Sequence, residues 1–234
     1  MKRRQFNSTI GQSVVLIILA AHAKAHALSL ADLSMGDASK GVKTALERCA
    51  IAAVGLLGQT DGFLGNDKVR IGLPGFLDDA AKVMKTLGQG KRVDELITSM
   101  NRAAEAAVPL AKDFLVSAVN NMSVGDARKI LAGGDTSVTT FFADKTRSPL
   151  SEKFLPVVTR VTEKVGLTNK FNQFAGKAAG MGLLKKEDAN IQQYVTGKSL
   201  DGLYLIIGEE EKKIRQDPVG TGSAILKKVF GAVK

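Results

Sequence analysis

The chain is poor in the residues that carry most enzyme and metal chemistry. Its 234 residues include one cysteine, two histidines, two tyrosines and no tryptophan. Both histidines, His22 and His26, lie close to the N-terminus. A single cysteine, Cys49, cannot form a disulfide within the chain. It stands in an apolar helical stretch, ERCAIAAVGLL (47–57), which predicts a buried and unreactive thiol.

The first 27 residues have the pattern of a secretory signal. Three basic residues at positions 2–4 precede the apolar run VVLIILAA (14–21), and small residues at alternate positions follow it. The run is far shorter than the roughly 20 residues that a membrane-spanning helix needs. We therefore predict cleavage near Ala27 and export, with an N-terminal membrane anchor as the alternative. Cleavage would remove both histidines, which excludes Ser-His-Asp and Cys-His catalysis and His-ligated metals in residues 28–234.

The charge of the mature chain is moderate. The leader holds four of the 33 basic residues and none of the 23 acidic ones, which leaves a net charge of +6. Such a charge permits weak attraction to anionic lipid headgroups or nucleic acid. The basic residues are dispersed and few aromatic residues accompany them, so the stacking platforms of single-strand binders are missing. We expect no nucleic-acid partner, and no membrane-spanning segment once the signal is cleaved.

Apolar residues recur at helical spacing through most of the mature chain. The sequence predicts an all-α fold, a multi-helix bundle of roughly eight amphipathic helices in a single domain over residues 28–234. At most one short extended segment is expected, near 68–73, within the irregular stretch 58–75. A two-lobed arrangement hinged in the 120–136 region is the alternative. The expected helices cover 37–57, 76–87, 91–118 with a kink at Pro109, a stretch from Ser123 to Gly133, 136–147, 150–166, 168–178, 190–215 and 222–232.

Several long phrases resemble a known family. They are LSLADLSMGDAS (28–39), GFLGNDKVRIGLPG (62–75), MNRAAEAAVPLAKDF (100–114), FLPVVTRVTEKVGL (154–167) and YVTGKSLDGLYLIIGEEEKKIRQDP (194–218). Together they resemble an exported family of Gram-negative bacteria known only as domain of unknown function 4197. The resemblance implies a signal peptide, a periplasmic or envelope location and a mostly helical fold. No activity is established for the family, so the resemblance assigns no functional residues.

A carboxylate interrupts the apolar seam of the helix expected at 190–215. The seam consists of Leu200, Tyr204, Ile207 and Ile214. Glu211 occupies the position that this spacing leaves vacant, and we take Tyr204 and Glu211 as candidate ligand-binding residues. A carboxylate buried in such a stripe is often functional, whereas Glu211 is simply solvated if the helix leaves the core at this turn. Glu209 is expected to point away and to pair with Lys213.

A second candidate group is Asn101, Arg102 and Glu105, on the helix expected at 91–118. Arg102 and Glu105 have the spacing of an ion pair. One interpretation is a polar site covered by another segment, in which Arg102 holds an anionic headgroup. The other interpretation is a solvated helix face.

The third candidate is Arg70, in the irregular stretch 58–75. It would project opposite to Val69 and Ile71, either as the interior partner of a carboxylate such as Glu211 or as an exposed residue of an extended segment. The acids of this stretch lack the spacing of an EF-hand, which leaves a looser calcium loop as the alternative. We expect no metal and no cofactor.

These features favour a periplasmic protein that binds a hydrophobic or anionic envelope ligand, such as a lipid, without catalysis. An envelope protein–protein interaction module is the first alternative, and it requires an exposed apolar patch. A carboxylate-based hydrolase is the second, and it requires two acids about 5–10 Å apart in a cleft. No catalytic residue can be named, so enzyme activity stays undecided at this point, as do the ligand and the oligomeric state.

Overall fold

The computed structural model describes residues 35–75, 82, 85–88, 90–134, 136–164, 168–169, 172 and 190–231. These residues form α-helices joined by irregular segments, with no strand among them. The predicted all-α class is confirmed. The predicted signal peptide and most of the helices expected at 76–87 and 168–178 lie outside the described residues.

The helices follow the apolar pattern of the sequence. They are α1 (Met35–Leu57), α2 (Gly90–Ala107), α3 (Ala111–Asn120), α4 (Val124–Ala132), α5 (Ser137–Thr162), α6 (Ile191–Gln216) and α7 (Ala224–Gly231). A 3-10 turn, Val108–Leu110, joins α2 to α3. The predicted interruption at Pro109 is confirmed, and this proline lies in the turn with its side chain exposed.

One predicted break is wrong. The stretches expected as two helices, 136–147 and 150–166, form the single helix α5, which contains Pro149 and Pro156. A proline inside a helix costs about 3 kcal/mol or more because it removes a backbone hydrogen bond. Burial of a continuous stripe along α5 offsets that cost; the stripe includes Phe142, Thr146, Leu150, Phe154 and Val158. This merger is one reason why the described part of the chain has seven α-helices where the sequence predicted roughly eight.

Helix α4 begins at a capping box, as the S-x-x-D pattern predicts. The backbone N–H of Asp126 donates to Ser123 Oγ over 3.0 Å, and the N–H of Ser123 donates to Asp126 Oδ2 over 3.0 Å. The hydrogen bonds from the Ser123 hydroxyl and backbone lower the pKa of Asp126. The two side chains thus satisfy two N–H groups that a helix start leaves unpaired.

Helix α6 lies at the centre of the fold. It packs against α1, α2, α5 and α7, and the described apolar side chains form one core that extends from Val42 to Phe230. No described helix has the length and apolarity that crossing a bilayer requires. One face of α6 stays at the surface; it includes Tyr194, Lys198, Asp201, Leu205 and Lys212. This outer face positions the candidate site.

Candidate functional site

Asn101 fastens the irregular stretch 58–75 to helix α2. Its amide nitrogen donates to the carbonyl of Ile71 over 2.9 Å, and its amide oxygen accepts the N–H of Ile71 over 2.8 Å. Asn101 is fully buried. Because one side chain supplies both bonds, the segment needs no neighbouring strand. Val69 and Ile71 are buried, whereas Arg70 is exposed. Of the two predictions for Arg70, an interior partner of a carboxylate or an exposed residue, the structure agrees with the second.

Glu105 secures the other end of the same stretch. Its Oε1 accepts the backbone N–H groups of Phe63 and Leu64 over 3.0 and 3.1 Å, and the residue is buried. The interpretation of Asn101, Arg102 and Glu105 as a solvated helix face is therefore wrong for Asn101 and Glu105. The stretch 58–75 covers this part of α2, as the alternative interpretation required.

Arg102 forms ion pairs with two carboxylates. Its guanidinium donates to Glu105 Oε2 over 2.6 Å and to Asp61 Oδ1 over 2.8 Å. The hydrogen bonds to Glu105 and then Asp61 raise the pKa of Arg102. Both carboxylates offset its charge, so an external anion would have to compete with them. Through Asp61, Arg102 helps to hold the stretch 58–75 against α2.

Glu211 is buried, so its interpretation as a solvated residue is wrong. It is 1% exposed, and Arg215 Nε donates to its Oε1. Arg215 also donates to the carbonyl of Ile130 over 2.7 Å and lies 5.6 Å from the ring centroid of Phe230. The apolar seam continues past this turn because Arg215 compensates the buried charge. The group ties α6 to the ends of α4 and α7.

Cys49 lies beside this ion pair. Burial raises the pKa of its thiol to about 12, and the negative charges of Glu211 and Glu210 add to the rise. The thiol is therefore protonated and buried at neutral pH, as the sequence predicts.

The neighbouring glutamates pair differently from the expectation. Glu209 does not pair with Lys213; it pairs with Lys68 across 2.7 Å. Lys213 pairs with Glu210 instead. The i, i+4 spacing favoured Lys213 as the partner of Glu209. The stretch 58–75 instead places Lys68 within ion-pair distance of Glu209.

Tyr204 links α5 to α6. Its hydroxyl lies 2.9 Å from Thr146 Oγ1, which itself donates to the carbonyl of Phe142 over 2.6 Å. Tyr204 is therefore the donor in the tyrosine–threonine bond. Burial raises the pKa of Tyr204, and the guanidinium of Arg147 lies 5.2 Å from its ring centroid.

Three depressions adjoin one another along the outer face of α6, and we call them together the α6 groove. The loop pocket, of about 310 Å³, lies between the stretch 68–73 and α6. The α5–α6 pocket, of about 660 Å³, lies between α5 and the first half of α6. The Tyr204 pocket, of about 550 Å³, lies between the start of α5 and the second half of α6. Asp201 lines all three and pairs with Arg147 across 2.8 Å.

The groove contains only part of the predicted site. Arg70 lines the loop pocket and Tyr204 lines the pocket named after it. Asn101, Arg102 and Glu105 line none of the three; they hold the stretch that carries Arg70. Glu211 also lines none of them.

Sequence reasoning missed five residues of α6 that line the groove. Tyr194, Lys198 and Asp201 lie on its outer face, and their signal is the helical spacing of 194, 198, 201 and 205, which runs opposite to the apolar seam. Gly197 is half-buried and Thr196 is buried, so neither shares that signal.

The fold and the groove define an all-α protein whose central helix presents an open, mixed polar and apolar surface. The chain belongs to the family described as protein of unknown function (DUF4197), whose profile matches residues 32–231. The family resemblance is thereby confirmed, while export stays a prediction. No curated protein and no solved structure matches the chain.

Proposed function

We propose that the protein is a non-catalytic binding protein of the cell envelope whose α6 groove holds an anionic ligand, such as a lipid headgroup. The observation that carries the proposal is the placement of Arg70 and Lys198. Both line the loop pocket, and neither has a carboxylate partner among the described residues. A guanidinium and an ammonium that face one depression form a site for a phosphate or carboxylate group.

The other charges of the loop pocket are already paired. Lys68 is offset by Glu209, and Asp201 is offset by Arg147. The positive charges of Arg70 and Lys198 are therefore left to attract an external anion. Leu205, with 44% of its surface exposed, and the half-buried Leu73 also line this pocket. They offer apolar contact to a ligand that is not purely polar.

The burial of the carboxylates favours binding over hydrolysis. Glu105 and Glu211 are the buried acids of the described residues. Each accepts a hydrogen bond from an arginine, Arg102 or Arg215, and neither lines the groove. A two-acid mechanism needs a pair of carboxylates that faces a substrate cleft. Of the acids that do line the groove, Glu152 and Asp201 are exposed and Glu209 is half-buried. Asp201 is paired with Arg147 and Glu209 with Lys68.

The three pockets are open to solvent. This openness suits a headgroup held at the surface better than an acyl chain enclosed between helices, so the proposal concerns the headgroup. The envelope location rests on the signal-like leader and on the resemblance to an exported family.

Vesicle sedimentation tests the proposal. The protein, purified after export, is mixed with vesicles of phosphatidylglycerol in phosphatidylcholine and, separately, with phosphatidylcholine alone. Binding is expected only with the anionic vesicles. The double variant Arg70→Ala/Lys198→Ala is expected to bind at least about tenfold more weakly, which corresponds to about 1.4 kcal/mol.

The matched control is Lys112→Ala/Lys129→Ala, which removes the same net charge from exposed positions outside the groove. It should keep nearly all of the binding. Equal losses in the two double variants would reduce the effect to non-specific charge attraction, and absence of binding by the unaltered protein would reject an anionic lipid as the ligand.

A further inference from the structure

The α5–α6 pocket contains a buried hydroxyl without a partner. Thr196 lines the pocket, is 4% exposed, and its Oγ1 makes no hydrogen bond within the described part of the chain. Three other buried helical hydroxyls, those of Thr146, Thr162 and Ser199, bond the carbonyl four residues earlier. A buried hydroxyl without a hydrogen-bond partner lowers the stability of the fold. A ligand that supplies the missing partner would explain why a threonine occupies position 196.

The next residue, Gly197, is also unexplained by packing. A glycine inside a helix lowers the stability of the helix. A Cβ added at Gly197 would meet no described atom within 4 Å, whereas one at Gly202 of the same helix would lie 2.8 Å from Phe63 Cε1. Packing therefore explains Gly202 and does not explain Gly197. The missing side chain leaves room for a ligand to lie against the helix where it lines the pocket.

The lining of this pocket differs from that of the loop pocket. Its charged side chains, Arg147 and Lys198 with Glu152 and Asp201, sum to no net charge, although Lys198 is paired with neither carboxylate. The uncharged polar groups of Ser151, Gln193 and Thr196 add both donors and acceptors. Tyr194 and Leu155 contribute apolar surface. A balanced set of donors and acceptors beside an aromatic ring suits a group that carries many hydroxyls and no net charge.

We propose that the α5–α6 pocket binds a sugar, and that the ligand of the α6 groove is a saccharide that carries an anionic group. This inference rests on the proposed function and deepens it. The two pockets share Tyr194, Lys198 and Asp201, so one ligand reaches both. Its anionic group lies at Arg70 and Lys198, and its hydroxyls lie against Gly197 and bond the Thr196 hydroxyl, which the surrounding side chains must shift slightly to uncover. A volume of about 660 Å³ is within the range of small-molecule sites.

Calorimetric titration of the full-length protein tests this assignment with four probes. They are inorganic phosphate, N-acetylglucosamine, N-acetylglucosamine 1-phosphate and glycerophosphoethanolamine. The sugar phosphate is expected to bind at least about tenfold more tightly than phosphate. Thr196→Val and Gly197→Ala should each abolish that gain and leave phosphate binding unchanged. Thr159→Val, on α5 outside the pocket, is the control and should keep the gain.

The thermal midpoints of the unliganded variants give a second readout. Thr196→Val removes an unpaired hydroxyl and Gly197→Ala removes a helix-weakening glycine, so both midpoints should stay level or rise. A lower midpoint for Thr196→Val would show that the hydroxyl has a partner within the chain and would overturn the inference.

The failures of the two proposals are distinguishable. If phosphate binds through Arg70 but the sugar phosphate gains nothing, the sugar assignment is wrong and the anion site stands. If glycerophosphoethanolamine gains as much as the sugar phosphate, the pocket recognises a zwitterionic headgroup and the sugar assignment is again wrong. If no probe and no anionic vesicle binds, the proposed function itself fails.

Discussion

The side-chain amide of Asn101 pairs with both backbone polar groups of Ile71, in the manner of a neighbouring strand. The residue before Ile71 is Arg70, which lines the loop pocket. Asn101 thus fixes the backbone from which the proposed anion-binding guanidinium extends, although Asn101 itself does not line the groove.

Asn101→Ala should therefore weaken both stability and binding. It leaves the N–H and carbonyl of Ile71 without their buried partners, at about 1–3 kcal/mol for an unsatisfied group. Urea unfolding measures the stability, and sedimentation with phosphatidylglycerol vesicles measures the binding. Asn120→Ala, exposed at the end of α3, should change the free energy of unfolding by no more than about 0.5 kcal/mol. Similar values for the two variants would refute the role given to Asn101.

Glu211→Gln should destabilise the fold much more than Glu209→Gln. The first change removes the charge that compensates Arg215 in a mostly buried pair, which we expect to cost about 1–3 kcal/mol. The second removes the partially exposed partner of Lys68, and exposed pairs contribute about 0–1 kcal/mol. Thermal unfolding of the two variants under one condition provides the comparison. Equal and small shifts would dismiss the buried pair as a stabilising element.

The thiol of Cys49 should be unreactive in the folded protein. Burial raises its pKa from 9.0 to about 12, so its neutral form is favoured by folding. The corresponding stability is complete below pH 9.0 and declines as the pH rises from there towards 12. Labelling with a thiol-specific chromogenic reagent at neutral pH should wait for unfolding in denaturant. Rapid stoichiometric labelling without denaturant would contradict the burial of Cys49.

Ser123→Ala should destabilise helix α4. It removes the hydroxyl that caps Asp126, and loss of such a cap costs about 0.5–2 kcal/mol. Because these bonds lower the pKa of Asp126, their stability is present above the ordinary aspartate value of about 3.9 and is lost as the pH falls through the lower folded value. Unfolding curves at neutral and acidic pH should show the gap between variant and parent narrow in acid. A gap that is constant or wider in acid would contradict the carboxylate's part in the cap.

Local patterns predicted much of the fold. The apolar seam of α6 and the capping box of α4 each arise from residues within a few positions of one another, so periodicity and cap chemistry suffice to place them. The continuation of α5 through Pro149 could not be predicted in the same way. It depends on how much apolar surface the helix buries against its neighbours, which is a property of the assembled core.

The candidate site was less predictable because its contacts are distant in sequence. Asn101 and Glu105 hold backbone groups 30 to 42 positions away, and no spacing rule identifies such partners. Glu209 likewise forms its ion pair with Lys68, which is distant in sequence, and not with Lys213. Lys198 belongs to the exposed face of α6, where a lysine has no distinguishing pattern, and its significance depends on Arg70 from another segment.

Native mass spectrometry of the protein purified from the periplasm of a Gram-negative host tests the central claim, that the α6 groove is a ligand-binding site. The account predicts a species above the bare protein mass for the parent and for Lys112→Ala/Lys129→Ala, with loss of that species in Arg70→Ala/Lys198→Ala. The intact mass also reports whether the chain is cut near Ala27. Bare protein in all three samples, or the same bound species retained by the groove variant, would contradict the account.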